Sequence, residues 1–236
     1  MYRSAMVWLI PLALVVPSTA DAHFILSSPA SVSQQDEFGS PQKSAPCGNT
    51  DTAGVPDEAT PTNQITTVPT GSMLTISIRE TIFHPGHYRV ALAQDRASLP
   101  ADPAVTAGST ACGSTQIAAN PTLPVLGDGL LRHTSSLGNT MQTMQVQLPA
   151  GMTCTSCVLQ VTQFMSNHAL NNPGGCYYHH CATLTIADNA PAPDAGTGTE
   201  DPAGGCCNTG PATPHLAALA GLVLGVLGLR RRRRRP

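Results

Sequence analysis

Leu74-Thr75-Ile76-Ser77-Ile78-Arg79-Glu80-Thr81-Ile82-Phe83-His84-Pro85-Gly86-His87-Tyr88-Arg89-Val90-Ala91-Leu92 is the stretch that decides the fold. Leu74 to Ile78 alternates apolar and polar residues, the two-residue period of a half-buried strand. The segment continues through Phe83 and stops at His84-Pro85-Gly86-His87, because proline and glycine together mark a sharp turn. Tyr88 to Leu92 then runs back as a second strand. Two histidines at such a corner are held by rigid flanks, as a metal ligand should be.

The same pattern extends outward in both directions. Upstream, Phe24-Ile25-Leu26 is a short apolar first strand ended by Ser27-Ser28-Pro29, and residues 30 to 70 read as a long polar loop with a tight turn at Pro46-Cys47-Gly48. Downstream, Asp95 to Asn139 reads as a surface excursion containing Cys112 and Leu123-Pro124-Val125-Leu126. Met144, Val146 and Leu148 alternate again. Val158 to Met165 is the strongest core strand, and Cys181 to Ala187 is the last, with Ala182, Leu184 and Ile186 on one face. No stretch keeps a helical period. Short strands between Pro-, Gly- and Asn-rich turns predict an all-β, immunoglobulin- or fibronectin-like antiparallel β-sandwich with long disulfide-stapled loops.

The chain ends are of another kind. Arg3, an apolar core from Met6 to Val16 and the small-residue triplet Ala20-Asp21-Ala22 form a secretory signal over residues 1–22. The predicted domain is 23–188, followed by a Pro-, Ala- and Gly-rich linker over 189–205. Residues 206–236 hold Cys206-Cys207, fourteen apolar or glycine residues from Leu216 to Leu229, and six arginines from Arg230 to Arg235. That apolar run is shorter than the roughly 20 residues a spanning helix needs, yet with its basic stop it suits an anchor or processing signal.

Cleavage after Ala22 makes His23 the first residue of the exported chain. Such a histidine offers two nitrogen donors, its free α-amine and its ring Nδ1, and can close a chelate on one metal ion. A second imidazole completes a T-shaped three-nitrogen site, a donor set suited to copper. The amine must be neutral to bind, and its ordinary pKa is about 7.7–8.0, so affinity falls at acid pH.

Six cysteines lie in the domain: Cys47, Cys112, Cys154, Cys157, Cys176 and Cys181. An even number in an exported chain implies three disulfides, although sequence leaves the pairing open. Cys154-Thr-Ser-Cys157 has the spacing of a bridge or of a zinc or redox pair. The domain sets five basic residues against ten acids, a net charge of −5. No basic groove is available for a nucleic-acid backbone, which excludes that class of partner.

The His23 terminus, the His84-Pro85-Gly86 corner and the Tyr178-His179-His180-Cys181-Ala182 strand together resemble lytic polysaccharide monooxygenases. The bacterial polysaccharide-monooxygenase-like group is the nearest in pattern, with Pro-Cys-Gly, His-Pro-Gly-His-Tyr-Arg and Cys-Val-Leu-Gln here at 46–48, 84–89 and 157–160. The tail resembles a myxobacterial-type C-terminal sorting segment, read by sorting and processing machinery at the cell surface.

The resemblance implies one copper ion, cycling between Cu(I) and Cu(II), on a histidine brace of His23 and His84, with His87 the alternative to His84. It implies Tyr178 beside the copper, in a Tyr-x-x-Cys pattern with Cys181, and Gln163 and His168 around the reacting oxygen. Glu80 would handle protons or pair with Arg79 or Arg89 on the surface. His179 and His180 read as extra ligands or as strand residues facing opposite sides, and His133 as an unrelated loop residue. The implied activity is oxidative cleavage of a polysaccharide, by hydroxylation of a C–H bond beside a glycosidic linkage, with an external electron donor. Two other classes fit the same residues: a non-catalytic copper carrier using the same brace, and a surface adhesin with no metal.

Overall fold

The computed structural model describes residues 23–190. The predicted signal segment, the sorting tail and nearly all of the linker lie outside the described residues. Among the described residues no helix is long and apolar enough to cross a membrane.

Ten strands follow in order: β1 (His23–Ser28), β2 (Ile65–Pro69), β3 (Met73–Ile82), β4 (Gly86–Ala93), β5 (Val105–Thr106), β6 (Ser114–Thr115), β7 (Val125–His133), β8 (Met141–Gln147), β9 (Cys154–Met165) and β10 (Tyr177–Ala187). One sheet has the order β1-β3-β8, a second β2-β10-β9-β4-β7, and β5-β6 form a small ribbon. The fold is an all-β sandwich. Its core is the inward stripe of each strand: Leu74, Ile76 and Ile78 from β3, Val90 and Leu92 from β4, Leu159 and Val161 from β9, Leu184 and Ile186 from β10. Full burial of one such side chain stabilises the fold by roughly 1.5–3 kcal/mol.

Four features differ from the sequence expectation. The strands flanking the histidine corner do not pair with each other: β3 lies between β1 and β8, while β4 lies between β9 and β7. The corner therefore crosses from one sheet to the other. It can do so tightly because Gly86 meets β9 closely; a Cβ there would lie 1.9 Å from the Phe164 carbonyl oxygen. The segment read as a loop over 30–70 contains β2, which pairs parallel with β10 (Thr183↔Ile65 to Ala187↔Pro69), so this sheet is mixed rather than wholly antiparallel. Only Val68 of β2 is fully buried, too little to leave an alternating signal.

The supposed excursion over 95–139 holds β7, an edge strand paired with β4. Its register shifts repeatedly, and Gly129 and Leu131 take positive φ angles of 68° and 46°. Bulges of that kind erase the two-residue period by which a strand is recognised. Lastly, β1 begins at His23 itself, one residue before the apolar run.

Three disulfides join Cys47 to Cys181, Cys112 to Cys176 and Cys154 to Cys157. The last closes the Cys-x-x-Cys spacing as a bridge. The first fastens the loop before β2 onto β10, and the second ties the segment ahead of β6 to the turn entering β10. Such bonds belong to an oxidising compartment, in keeping with export.

Candidate metal centre

The inward stripes that build the core are apolar along most of their length and turn polar at one common end. On β3 the stripe Leu74-Ile76-Ile78 continues to Glu80; on β9, Leu159-Val161 continues to Gln163; on β10, Ala182 is preceded by His180 and Tyr178. The ladders set these positions side by side: Tyr178 pairs with Gln163, Gln163 with Tyr88, and Glu80 with Phe24. Glu80, Gln163, Tyr178 and His180 are all at most 2% exposed. Buried polar groups in such number cost free energy unless partnered; Glu80, Gln163 Nε2 and His180 Nε2 are hydrogen-bonded here, whereas Gln163 Oε1 and His180 Nδ1 have no hydrogen-bond partner among the described residues.

His23 sits at its rim. It pairs with Ile82 across β1 and β3, and His84 follows Ile82 by two residues. The His23 ring packs against Tyr178 at 5.2 Å between centroids and against the exposed Phe38 at 6.3 Å. Its Nδ1 is buried with no hydrogen-bond partner among the described residues. The His84 ring meets His168 edge-on at 4.7 Å. His168 is fixed in turn: its Nδ1–H donates to the Ala169 carbonyl, and its backbone bridges to Cys112, which the disulfide anchors to Cys176.

Beneath the rim, Glu80 gathers four donors. His133 Nε2 lies 2.9 Å from Oε1, Gln163 Nε2 donates to the same oxygen at 3.3 Å, and the His84 and Leu137 amides approach the carboxylate at 3.4 Å. The surface pairing with Arg79 or Arg89 does not occur. Arg79 instead bonds Asn139 and Arg89 the Ala101 carbonyl. Parity explains this, since Glu80 lies six residues from Leu74 and so inherits the core-facing side. His133, read from sequence as an unrelated loop residue, is the last residue of β7 and the Glu80 partner. Burial pushes its imidazole pKa down, but the Glu80 bond and charge and the Leu131 carbonyl outweigh that and raise it.

The structure separates the remaining histidines. His87 alternates with Tyr88 and points to the opposite face of its sheet, against Phe164 (5.3 Å between rings) and 3.8 Å from Asp128. There it borders a cleft of about 170 Å³ with Thr115 and Arg132. His179 also faces that side, bonded to Asp102 at 2.9 Å and to the Lys43 carbonyl. His180 faces the core, its Nε2–H donating to the Phe24 carbonyl at 3.0 Å.

Burial pushes the His180 imidazole down to about 4, although the Phe24 carbonyl pulls the other way. In the unfolded chain the ordinary value is about 6.5, so below that pH the unfolded state takes up a proton that the native state refuses. His180 therefore contributes stability that is complete above pH 6.5 and declines, by up to about 1.4 kcal/mol per pH unit, as pH falls toward 4. An NMR titration should show this ring neutral from pH 6.5 down to about 5 and taking up its proton only near pH 4. His133 behaves oppositely: its contribution is present below 6.5 and is lost as pH rises through its raised pKa.

Among the described residues no three His, Cys, Asp or Glu side chains converge on a metal-sized site. A brace does not require three, because its third donor is the α-amine. The buried, unpartnered His23 Nδ1 is the atom such a chelate uses, and His84 stands two residues beyond its ladder partner. The donor set fits copper.

No protein-family model matches the chain, and no curated protein does. Among solved structures, a lytic polysaccharide monooxygenase AA15 from Thermobia domestica in the Cu(I) state matches with a TM-score of 0.45 and 19% identity. The match covers 71% of this chain and 100% of that one. A likeness that thin leaves the chemistry to rest on the residues themselves.

Proposed function

We propose that this chain, cut ahead of His23, binds one copper ion through the His23 amine and Nδ1 and the His84 imidazole, and oxidises a polysaccharide there. The observation that carries the proposal is the His23 Nδ1, buried without a hydrogen-bond partner between Tyr178 and the rim of the β3–β4 corner. An imidazole nitrogen left unpaired in a buried place costs free energy, and a ligand bond removes that cost.

Copper held there supplies one-electron redox chemistry with oxygen or peroxide, using electrons from an external donor, and so gives access to a C–H bond beside a glycosidic linkage. The chain's own residues do the rest. Tyr178, wholly buried, closes one side of the site with its ring and keeps water from it. Gln163 is fixed through Nε2 to Glu80, which leaves its buried Oε1 as a hydrogen-bond acceptor. Glu80 and His133 hold a proton between Oε1 and Nε2 below the site. His168 supports the His84 ring from its edge.

Two exposed rings at the rim support a glycan as the substrate class. Phe38 is 45% exposed and Phe83 36%, and they stand beside His23 and His133 respectively. Apolar rings in the open next to a polar centre suit the faces of sugar rings. Replacing Phe38 by Ala should weaken binding to the insoluble glycan about 2- to 12-fold, the range expected for losing one aromatic stacking contact. A pull-down isotherm measures this; unchanged binding would place the glycan elsewhere. The Cys206-Cys207 tail with its arginine run completes the proposal as the segment that delivers the domain to the cell surface.

The test joins three measurements on exported protein: N-terminal sequencing, metal analysis, and incubation with ascorbate and a glycan panel. The proposal expects a chain beginning at His23, one copper per chain and oxidised oligosaccharides. A different N-terminus, or no stoichiometric copper, overturns it. Tight copper with no oxidised product identifies a copper carrier instead.

A further inference from the structure

In its sheet β1 is an edge strand, paired only with β3. The residues whose N–H and C=O point away from β3 face an open edge, where a strand ordinarily meets water or another strand. Here side chains take the place of the missing neighbour. The Gln35 amide group accepts from the Leu26 N–H and donates to the Leu26 carbonyl, both at 2.8 Å. At Phe24 the task is divided: Gln42 Oε1 accepts from the N–H at 3.2 Å, and His180 Nε2 donates to the carbonyl at 3.0 Å. All four outward backbone groups of these two residues are matched.

The parts of this arrangement are themselves fixed. Asp51 Oδ1 accepts from the Gln42 and Lys43 amides at 2.7 and 2.8 Å, and the Gln42 carbonyl accepts from the His179 amide at 2.7 Å. The Cys47–Cys181 disulfide joins the same loop to the residue after His180. Gly39 passes so near Phe24 that a Cβ would stand 2.0 Å from the Phe24 carbonyl oxygen. The His180 ring also packs edge-on against the Phe24 ring at 4.7 Å. Gln42 and His180 are both fully buried, an expensive placement for residues that would only fill space.

We infer that Gln42 and His180 are positioning residues that hold the Phe24 backbone and so preorganise the N-terminal His23 chelate. The inference rests on the copper reading above. Terminal residues fray unless tied down, and the ladder register already shifts between His23 and Phe24. A free terminus would have to be ordered at the moment of binding, which lowers affinity; a clamped Phe24 leaves both His23 donors in place beforehand.

The experiment uses the exported, processed protein with His180→Ala, Gln42→Ala and the rescue variant His180→Gln, whose side-chain amide can again donate to the Phe24 carbonyl. Three readouts are taken: Cu(II) affinity by competition titration, the Cu(II) EPR spectrum, and hydrogen exchange of the Phe24 amide in metal-free protein. Each alanine variant should weaken copper about 5- to 10-fold, the worth of one net hydrogen bond, broaden or shift the EPR spectrum, and accelerate Phe24 exchange. His180→Gln should restore most of each. Folded alanine variants with wild-type affinity and spectrum overturn the inference. So does a loss that His180→Gln fails to rescue while exchange at Phe24 stays slow, since that marks damage elsewhere. If wild-type protein takes up no copper, the functional reading fails; Phe24 exchange in the metal-free variants then decides the clamp alone, slow exchange overturning it and fast exchange supporting it.

Discussion

One alanine added ahead of His23 should lower copper affinity about 10²- to 10⁴-fold, the loss expected when two linked donors no longer act as one. The extension leaves both imidazoles in place and alters nothing in the core. It converts the α-amine into an amide nitrogen, which carries no available lone pair at neutral pH, and moves the nearest free amine one residue away. His23 then contributes a lone ring nitrogen. Replacing His84 by Ala removes a single donor and should cost less than the extension if the five-membered chain of amine, Cα and ring is the principal grip. Competition titration of the two variants against the processed wild type decides the order. Equal affinity for the extended and processed proteins would show that the amine is not a ligand, and the proposed brace would go with it. A pH series adds a second check: wild-type affinity should fall as pH drops below the amine's ordinary range of about 7.7–8.0, while the extended variant lacks that dependence.

What the sequence made legible follows from where the two-residue period survives. β3, β8 and the second half of β10 carry apolar residues at every second position, and β9 is a long run rich in apolar residues, so these strands were readable and the sandwich followed from them. Parity on those same strands also carries most of the centre. Glu80, Gln163 and Tyr178 each extend an inward apolar stripe by an even number of residues, which is why they meet. Parity likewise disfavours His87, since Tyr88 and Val90 take the core side of β4. What stayed hidden belongs to elements without a period. β7 is broken by bulges at its glycines, so His133 could not be placed opposite Glu80. Gln42 and Phe38 stand in a loop whose course depends on Asp36 and Asp51 accepting backbone amides, contacts that spacing alone does not announce. The sheet partners of β3 and β4 are a matter of long-range topology, and a sharp turn looks alike whether it joins two strands of one sheet or crosses between two.

Replacing Glu80 by Ala should destabilise the domain by about 3–5 kcal/mol, the cost of breaking a buried, hydrogen-bonded charge pair by removing one member. The carboxylate is 2% exposed and is the acceptor for His133 Nε2 and Gln163 Nε2. Alanine leaves both donors buried and unanswered, and opens a small cavity between the sheets. Glu80→Gln keeps the volume and one acceptor oxygen, so it should cost less; the difference between the two variants measures lost bonding apart from lost charge. The pH profile gives the sharper signature. Burial alone would push the His133 imidazole below its ordinary value, and the Glu80 bond is the first of the influences that lift it above. In Glu80→Gln that lift is removed and the ring loses its proton at a lower pH. The pair's contribution in wild type is therefore complete below about 6.5 and shrinks as pH rises through the raised pKa. The stability gap between wild type and Glu80→Gln should be widest in mild acid and narrow toward alkaline pH. Urea denaturation of the metal-free proteins across that range measures the gap. A Glu80→Ala loss under 1 kcal/mol, or a gap that does not change with pH, would mean that the carboxylate is not the partner that holds His133 charged.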